Sequence, residues 1–427
     1  MASLSLPRLL SLTVMGFALG MVSATLEPAL LGYKILALTP ERRNTLLGFT
    51  TFVGLAAAGL TQPVMGALSD RTRTRWGRRL PFMVSGVAVL IIALIWIAGA
   101  PTLACLLSGV VILQAASNTV QGPWQALVPD HVPDQQRGLA AGLKLLWEGM
   151  AAVVGRVIAG QLIGLTPIYG RAAITTTIAV PAICLIAALA ITARGSGAAP
   201  SDHPIGPRRS IGAALTQTFS VDLRAYPAFG WWFLNRLFFW CAMIAVSIFL
   251  LFFAIDVVGL AEAEAQRYLG LASAVLGVAL LACAVPASRL ADRVPRKPLV
   301  FAAGLIAGAG TVVVLITREL AVMLIGGALI GAGTGVFLIA SWALITEIVP
   351  RAEAARYLGI ANLAAAIGSA SARLIGGALI DGVNAANGST SSGYLTVYGM
   401  AAGLFFLSAL AVIPLRSRQA AAGADAV

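Results

Sequence analysis

Residues 66–82 read GALSDRTRTRWGRRLPF. Five arginines, Arg71, Arg73, Arg75, Arg78 and Arg79, crowd into this stretch, and on both sides the charge stops. The flanking runs 46–69 and 81–100 carry no Asp, Glu, Lys or Arg. Each is close to the roughly 20 apolar residues that a helix needs to cross the hydrocarbon layer of a bilayer. Outward from this point the alternation continues. Apolar runs fall at 9–32, 46–69, 81–100, 102–127, 139–164 and 171–193, and again at 227–255, 267–288, 298–317, 320–346, 356–380 and 394–415. A spanning backbone must satisfy its own hydrogen bonds, so each run is expected to be a helix. A membrane β-barrel would show short alternating segments instead.

Composition agrees. The chain has 427 residues, of which 59% are hydrophobic and 11% charged, against about 25% charged in a soluble domain. So little charge cannot cover a soluble body of this size. That excludes a soluble enzyme, a disordered chain and a disulfide scaffold. Twelve spans would use about 240 residues, leaving short loops. The expected fold class is therefore an all-α membrane protein with twelve transmembrane helices. The first run is too long for the apolar core of a cleaved signal and is read as the first span.

The net charge of +12 is scattered through loops, which argues for topology rather than nucleic-acid binding. With both termini cytoplasmic, nineteen Lys and Arg fall in inside loops and ends and six in outside loops. This is the expected bias, and it places the chain as a multi-pass protein of a bacterial inner membrane. Cys105, Cys184, Cys241 and Cys283 each lie within an apolar run and read as packing residues. His131 and His203 lie in separate loops, so no metal site and no cofactor are expected. The phosphate-cradling G-x-x-x-x-G-K-[ST] pattern is missing, which argues against ATP-driven pumping. The many glycines read as close-packing positions, as in Gly155-x-x-x-x-Gly160 and Gly327-x-x-x-Gly331.

Residues 195–226 are Gly/Pro/Ser-rich and basic. They read as a cytoplasmic linker between an N-terminal bundle, 1–194, and a C-terminal bundle, 227–427. The halves repeat. Ser69-Asp70-Arg71 ends the second run and Ala291-Asp292-Arg293 ends the eighth. Trp124-Gln-Ala-Leu-Val-Pro-Asp130 ends the fourth and Ser341-Trp-Ala-Leu-Ile-Thr-Glu347 the tenth. Gly-Arg156-Val-Ile-Ala-Gly lies in the fifth and Ala-Arg373-Leu-Ile-Gly-Gly in the eleventh. Two pseudo-symmetric six-helix bundles are a known architecture of secondary transporters, with solute bound near the midplane.

These residues carry a resemblance. The duplicated Asp-Arg loops are similar to the signature loop of the major facilitator superfamily. The long form Ser69-Asp70-Arg71 … Gly77-Arg78-Arg79-Leu-Pro81-Phe82, with Asn118-Thr-Val-Gln-Gly-Pro123-x-x-Ala-Leu, resembles the sucrose transporter and glycoside–cation symporter-like bacterial group. The resemblance implies the major facilitator fold, alternating access, and gating by Asp70 with Arg71, Arg78 and Arg79, repeated by Asp292 and Arg293. Gln114 and Gln125 stand where the sugar-transporting relatives carry an acidic residue and an arginine. Sucrose-type proton coupling therefore does not transfer to the fourth span.

Charge inside a span costs at least about 2.5–3.5 kcal/mol at the bilayer centre and usually marks function. Here Glu27, Lys144, Glu148, Arg156, Arg236 and Arg373 are so placed, with Asp256 at the end of the seventh span. Lys144 and Glu148 are four apart and share a face. Arg156 lies about 12 Å beyond Glu148 and needs another partner. Two pseudo-symmetric pairs are expected, Glu27–Arg156 and Asp256–Arg373. Glu148 and then Glu27 are the candidates for carrying a coupling proton. Gln114, Asn118, Gln121 and Gln125 follow helical spacing on one face. With Asn235, Arg236 and Asn362 they are candidate solute contacts.

The reading put first is a non-enzymatic secondary transporter that takes up a glycoside or other polar metabolite with protons. It is expected to work as a monomer in the lipid bilayer, with no nucleic-acid partner. Two other classes fit the same composition: proton-antiport export of an amphipathic compound, and a non-transporting membrane assembly factor on the same fold.

Overall fold

A computed structural model describes residues 4–196, 227–291, 293–348 and 354–415, with the side chains of Arg71, Asp134, 346–347 and 354–361 outside the description. The linker 197–226 and Asp292 thus lie outside the described residues.

The protein is all-α and spans the membrane with twelve helices; no strand occurs among the described residues. In chain order they are α1 (Leu6–Leu38), α2 (Pro40–Asp70), α3 (Leu80–Gly99), α4 (Leu103–His131), α5 (Arg137–Gly164) and α6 (Arg171–Ser196). They continue as α7 (Pro227–Ile248), α8 (Glu262–Ala291), α9 (Arg296–Ile316), α10 (Leu320–Ile345), α11 (Asn362–Asn387) and α12 (Ser392–Ala411). Local signals set several ends. Pro81 sits in the first turn of α3, where its missing N–H costs nothing. The Thr102 hydroxyl caps α4 by accepting from the Cys105 N–H.

Packing divides the chain into two units: Met1–Gly206 with Gly259–Ala274, and Pro207–Val258 with Val275–Val427. In the first unit α1 packs on α5 and α6, and α3 on α4 and α6. In the second, α7 packs on α11 and α12, and α9 on α10 and α12. The same neighbour scheme in both units fits the repeat read from the sequence.

Residues 259–274, the start of α8, pack within the first unit. Glycine makes this possible. A Cβ on Gly160 of α5 would stand 2.5 Å from the Gln266 carbonyl oxygen and 3.0 Å from Gly270 Cα.

Two spans are interrupted. In α1 the helix breaks across Leu26–Leu30, where Glu27 is extended (φ −109°, ψ 129°) ahead of Pro28. A residue before proline is pushed out of the helical region, and proline brings no N–H. In the second unit α7 ends at Ile248, and a short turn, Leu250–Phe253, leads into a wider π-helical turn, Ala254–Val258, that carries Asp256. The apolar run 227–255 predicts one unbroken helix, and the structure interrupts it after Ile248. Each unit therefore interrupts its first span next to a carboxylate.

An interrupted helix leaves carbonyls without intrahelical donors, which is costly in lipid. The Tyr398 hydroxyl of α12 donates to the Val246 carbonyl at 2.9 Å. Its ring stacks on Phe253 at 4.4 Å between centroids. Tyr398→Phe keeps the stack and strands that carbonyl. We expect it to cost about 1–3 kcal/mol, read as a lowered melting temperature of purified protein. An unchanged melting temperature would show that the carbonyl has another donor.

Candidate functional site

The arginine loop between α2 and α3 is shaped by one residue. Gly77 has φ +83°, a conformation that side chains disfavour. Its N–H donates to the Thr74 carbonyl at 3.0 Å, and the Thr74 hydroxyl donates to its carbonyl at 2.7 Å. The closed turn aims the next two residues at the end of α4. Arg78 meets Asp130 at 2.5 Å. Arg79 meets Asp130 through Nε at 3.1 Å and Asp70 through NH1 at 2.5 Å, and NH1 also donates to the Ser69 hydroxyl at 2.6 Å. Arg79 is buried, so its charge is answered from three sides.

Of the gating residues expected from the sequence, Asp70, Arg78 and Arg79 thus come together. The Arg71 side chain and Asp292 lie outside the description, and Arg293 is exposed. Asp130 is the residue that the sequence reading left without a role. The signal for it in the sequence is the acidic position that Glu347 repeats in the second half.

Further into the first unit, Lys144 and Glu148 sit one turn apart on α5, Nζ to Oε1 3.6 Å, both partly exposed. Lys144 lies over the Trp124 ring of α4 at 5.3 Å. Trp124 is held by its own indole N–H, which donates to the Leu12 carbonyl of α1 at 2.9 Å. On the α1 side, a Cβ on Gly16 would meet Trp124 Cη2 at 2.9 Å and Glu148 Cγ at 3.5 Å. The absence of a side chain at Gly16 therefore makes room for the pair. Glu27, at the α1 break, lies within electrostatic reach of Arg156 on α5, whose buried Nε has no hydrogen-bond partner.

The polar stripe of α4 lies along its contact with α2. Gln125 accepts from the Gln62 amide at 3.3 Å. The Asn118 amide, buried, donates to the Gln114 carbonyl one turn back at 2.9 Å. Gln114 Cγ lies 3.2 Å from where a Cβ on Gly54 would stand. Gln121 is half-buried. Part of the stripe is thus spent on helix-to-helix and local bonds.

In the second unit, Asn235 is buried and its amide donates to the carbonyl and hydroxyl of Ser408 on α12, at 2.7 and 2.9 Å. Arg236 is buried beside it, its guanidinium 4.6 Å from the Trp342 ring centre and 5.6 Å from that of Trp232. Asp256 accepts from the Tyr394 hydroxyl at 2.6 Å. Arg373 donates to the Ser369 carbonyl at 3.4 Å, and Asn362 is exposed. The four cysteines are free thiols, and the described residues contain no cluster of His, Cys, Asp or Glu able to hold a metal.

Among solved structures, the chain resembles a bacterial homologue of the human lysosomal transporter Spinster, in an inward-facing and unoccupied conformation. The TM-score is 0.71 at 17% identity, over 97% of this chain and 99% of that one. It also resembles a D-xylose–proton symporter, with a TM-score of 0.68 at 16% identity, over 96% and 97%. At such identities the likeness is one of fold. Among curated relatives, the membrane-associated transporter protein of Homo sapiens is 24% identical over 38% of this chain and 36% of its own length. A sucrose transport protein of Arabidopsis thaliana is 30% identical over 25% of this chain and 22% of its own length. The matched stretches therefore span about a third or less of those relatives. The family described as MFS/sugar transport protein matches residues 16–357, most of the chain and the whole of both duplicated Asp-Arg loops. With its twelve spans and duplicated packing, the chain belongs to the MFS/sugar transport protein family.

Proposed function

We propose that the chain is a secondary transporter that carries a small polar solute across the membrane by alternating access, in symport with protons. The observation that carries this reading is the Lys144–Glu148 pair. A carboxylate inside a span is costly, and this one is held by a single lysine at 3.6 Å and stays partly exposed. A permanent structural charge would be enclosed and fully bonded. A proton arriving on Glu148 parts the pair and leaves Lys144 on the Trp124 face, so the state of α5 against α1 and α4 follows the proton.

A sugar or glycoside is the solute class put first. Sucrose transport proteins are among the relatives, and the free faces of Gln114 and Gln121 suit hydroxyl groups. Asn118, which donates to the Gln114 carbonyl, and Gln125, which accepts from Gln62, belong to the same stripe, and Asn235 is a candidate in the second unit, held on Ser408. Asn362 and Arg236 are the candidate contacts in the second unit. The pairs Glu27–Arg156 and Asp256–Arg373 belong to the same reading, as charges that hold the interrupted spans. The Arg78–Arg79–Asp70–Asp130 network is the proposed gate, on the cytoplasmic side with both termini.

The test is reconstitution in liposomes with a panel of sugars and glycosides, with and without a pH gradient. The unaltered protein is expected to accumulate one solute class only when the gradient is present. Glu148→Gln is expected to abolish accumulation while keeping downhill movement. Undiminished gradient-driven accumulation in Glu148→Gln would remove Glu148 from coupling. Movement against the proton flow would replace symport by antiport.

A further inference from the structure

Arg236 is 3% exposed, and no hydrogen bond or ion pair to it occurs among the described residues. Its Nε and NH1 are buried without an acceptor. What surrounds it is aromatic: Trp342 and Trp232 lie within cation–π distance. Trp232 is locked in place, its indole N–H donating to the Ser341 carbonyl at 3.0 Å. Further unspent groups lie nearby. The Trp240 Nε1–H, one turn along the same helix face, and the Ser341 hydroxyl, next to Trp342, are both buried without partners. The Asn235 Oδ1 is also unspent, on a side chain that turns to Ser408 of α12.

The balance is therefore lopsided. Among the described residues, two guanidinium nitrogens of Arg236 and the Trp240 indole N–H go without an acceptor, and the Ser341 hydroxyl goes without a partner. Indole faces soften the burial of a cation but do not occupy its N–H groups. A buried guanidinium without a counter-charge is strongly disfavoured unless an acceptor arrives. Donors in excess around a fixed positive charge describe a receptor for an oxyanion. The planar fork of arginine matches a carboxylate.

We propose that Arg236, with Trp240 and Ser341, binds the carboxylate of the transported solute, so that the substrate is an acidic polar metabolite rather than a neutral sugar. This rests on the transporter reading above and narrows its solute class.

The test measures binding, which needs no transport. Purified protein in neutral detergent at fixed ionic strength is titrated with acetate, lactate and D-glucuronate, each against its neutral counterpart acetamide, lactamide or D-glucose. Tryptophan fluorescence and melting temperature are the readouts. At least one acid is expected to bind while its neutral counterpart does not. Arg236→Gln should weaken that acid by about 10- to 100-fold, and Arg236→Lys by less. Trp240→Phe and Ser341→Ala, which leave the charge in place, should each weaken it several-fold, and they serve if Arg236→Gln fails to fold. Equal response to acids and neutral counterparts, or an acid response unchanged in these variants, overturns the proposal. So does an Arg236-dependent response obtained only on adding phosphatidylglycerol, since that would assign the site to a lipid phosphate. Gradient-driven uptake of a neutral sugar with no acid binding would sink this inference and leave the transporter reading intact. Acid binding without uptake of any solute would do the reverse.

Discussion

Leucine at Gly331 or Gly335 is expected to prevent the second unit from folding, while leucine at Gly327 leaves it intact. A Cβ on Gly331 would run into the Leu276 carbonyl oxygen, and one on Gly335 into that of Leu280. The two contacts are one turn apart on both helices, so α8 and α10 lie backbone to backbone along this seam. A carbonyl in a helix cannot swing aside as a side chain can. Helices in lipid associate largely through such close packing, because there is no water to expel between them. Overpacking by a few methylenes costs about 1–3 kcal/mol in ordinary cores, and two helices forced apart lose their packing over several turns. A Cβ on Gly327 meets nothing within 4 Å. Monodisperse yield and melting temperature in detergent distinguish the three variants. A Gly335→Leu protein that melts like the unaltered one would refute the seam.

The second large effect is expected at Arg79. Removing one partner of a buried ion pair costs about 3–5 kcal/mol, because the other charge is left unanswered. Arg79→Gln withdraws a residue that touches both Asp70 and Asp130, and should approach that figure. Asp130→Asn should follow, because its side chain is only 16% exposed and it faces both Arg78 and Arg79. Asp70 is 58% exposed, so Asp70→Asn should cost no more than a surface pair, about 0–1 kcal/mol. Thermal melts give the ranking. If Asp70→Asn destabilised as much as Arg79→Gln, the burial argument would fail. If transport rates dropped in Asp70→Asn without a change in melting temperature, the network would be acting on access rather than on folding.

The spans, their number and the repeat could be read from the sequence because lipid imposes one rule on every segment. Long uncharged runs and their interruptions by arginine leave little choice. The meeting of Asp70 with Arg79 was foreseeable because both sit on one short loop. Asp130 was not, since its partners lie about fifty positions earlier and only the docking of α4 brings them together. The α1 break falls at Pro28 within a run that reads as one span, 9–32, and proline alone does not announce it, since Pro63, Pro123 and Pro181 lie inside unbroken helices. The α7 interruption has no proline, and the group that answers it, Tyr398, is 152 positions away. Asn235 reads as a solute contact from its neighbour Arg236, yet its amide is committed to Ser408. Spacing alone also pointed to Gly327 and Gly331 as a close-packed pair, whereas the seam uses Gly331 and Gly335. With small residues on every face of α10, only the neighbouring backbone decides which of them matter.

The opening span of the first unit finds its neighbours late. Trp124 secures Leu12, Trp147 donates to the Thr13 hydroxyl, and Arg8 reaches the Gly195 carbonyl at the far end of α6. A ribosome adding ~5–20 residues per second would need on the order of ten seconds after α1 emerges before α5 and α6 do. For that interval the interrupted stretch at Glu27 has neither Arg156 nor Gln266 beside it. The break in α1 is therefore completed late, once Gln266 at the start of α8 has been made and donates to the Ala29 carbonyl.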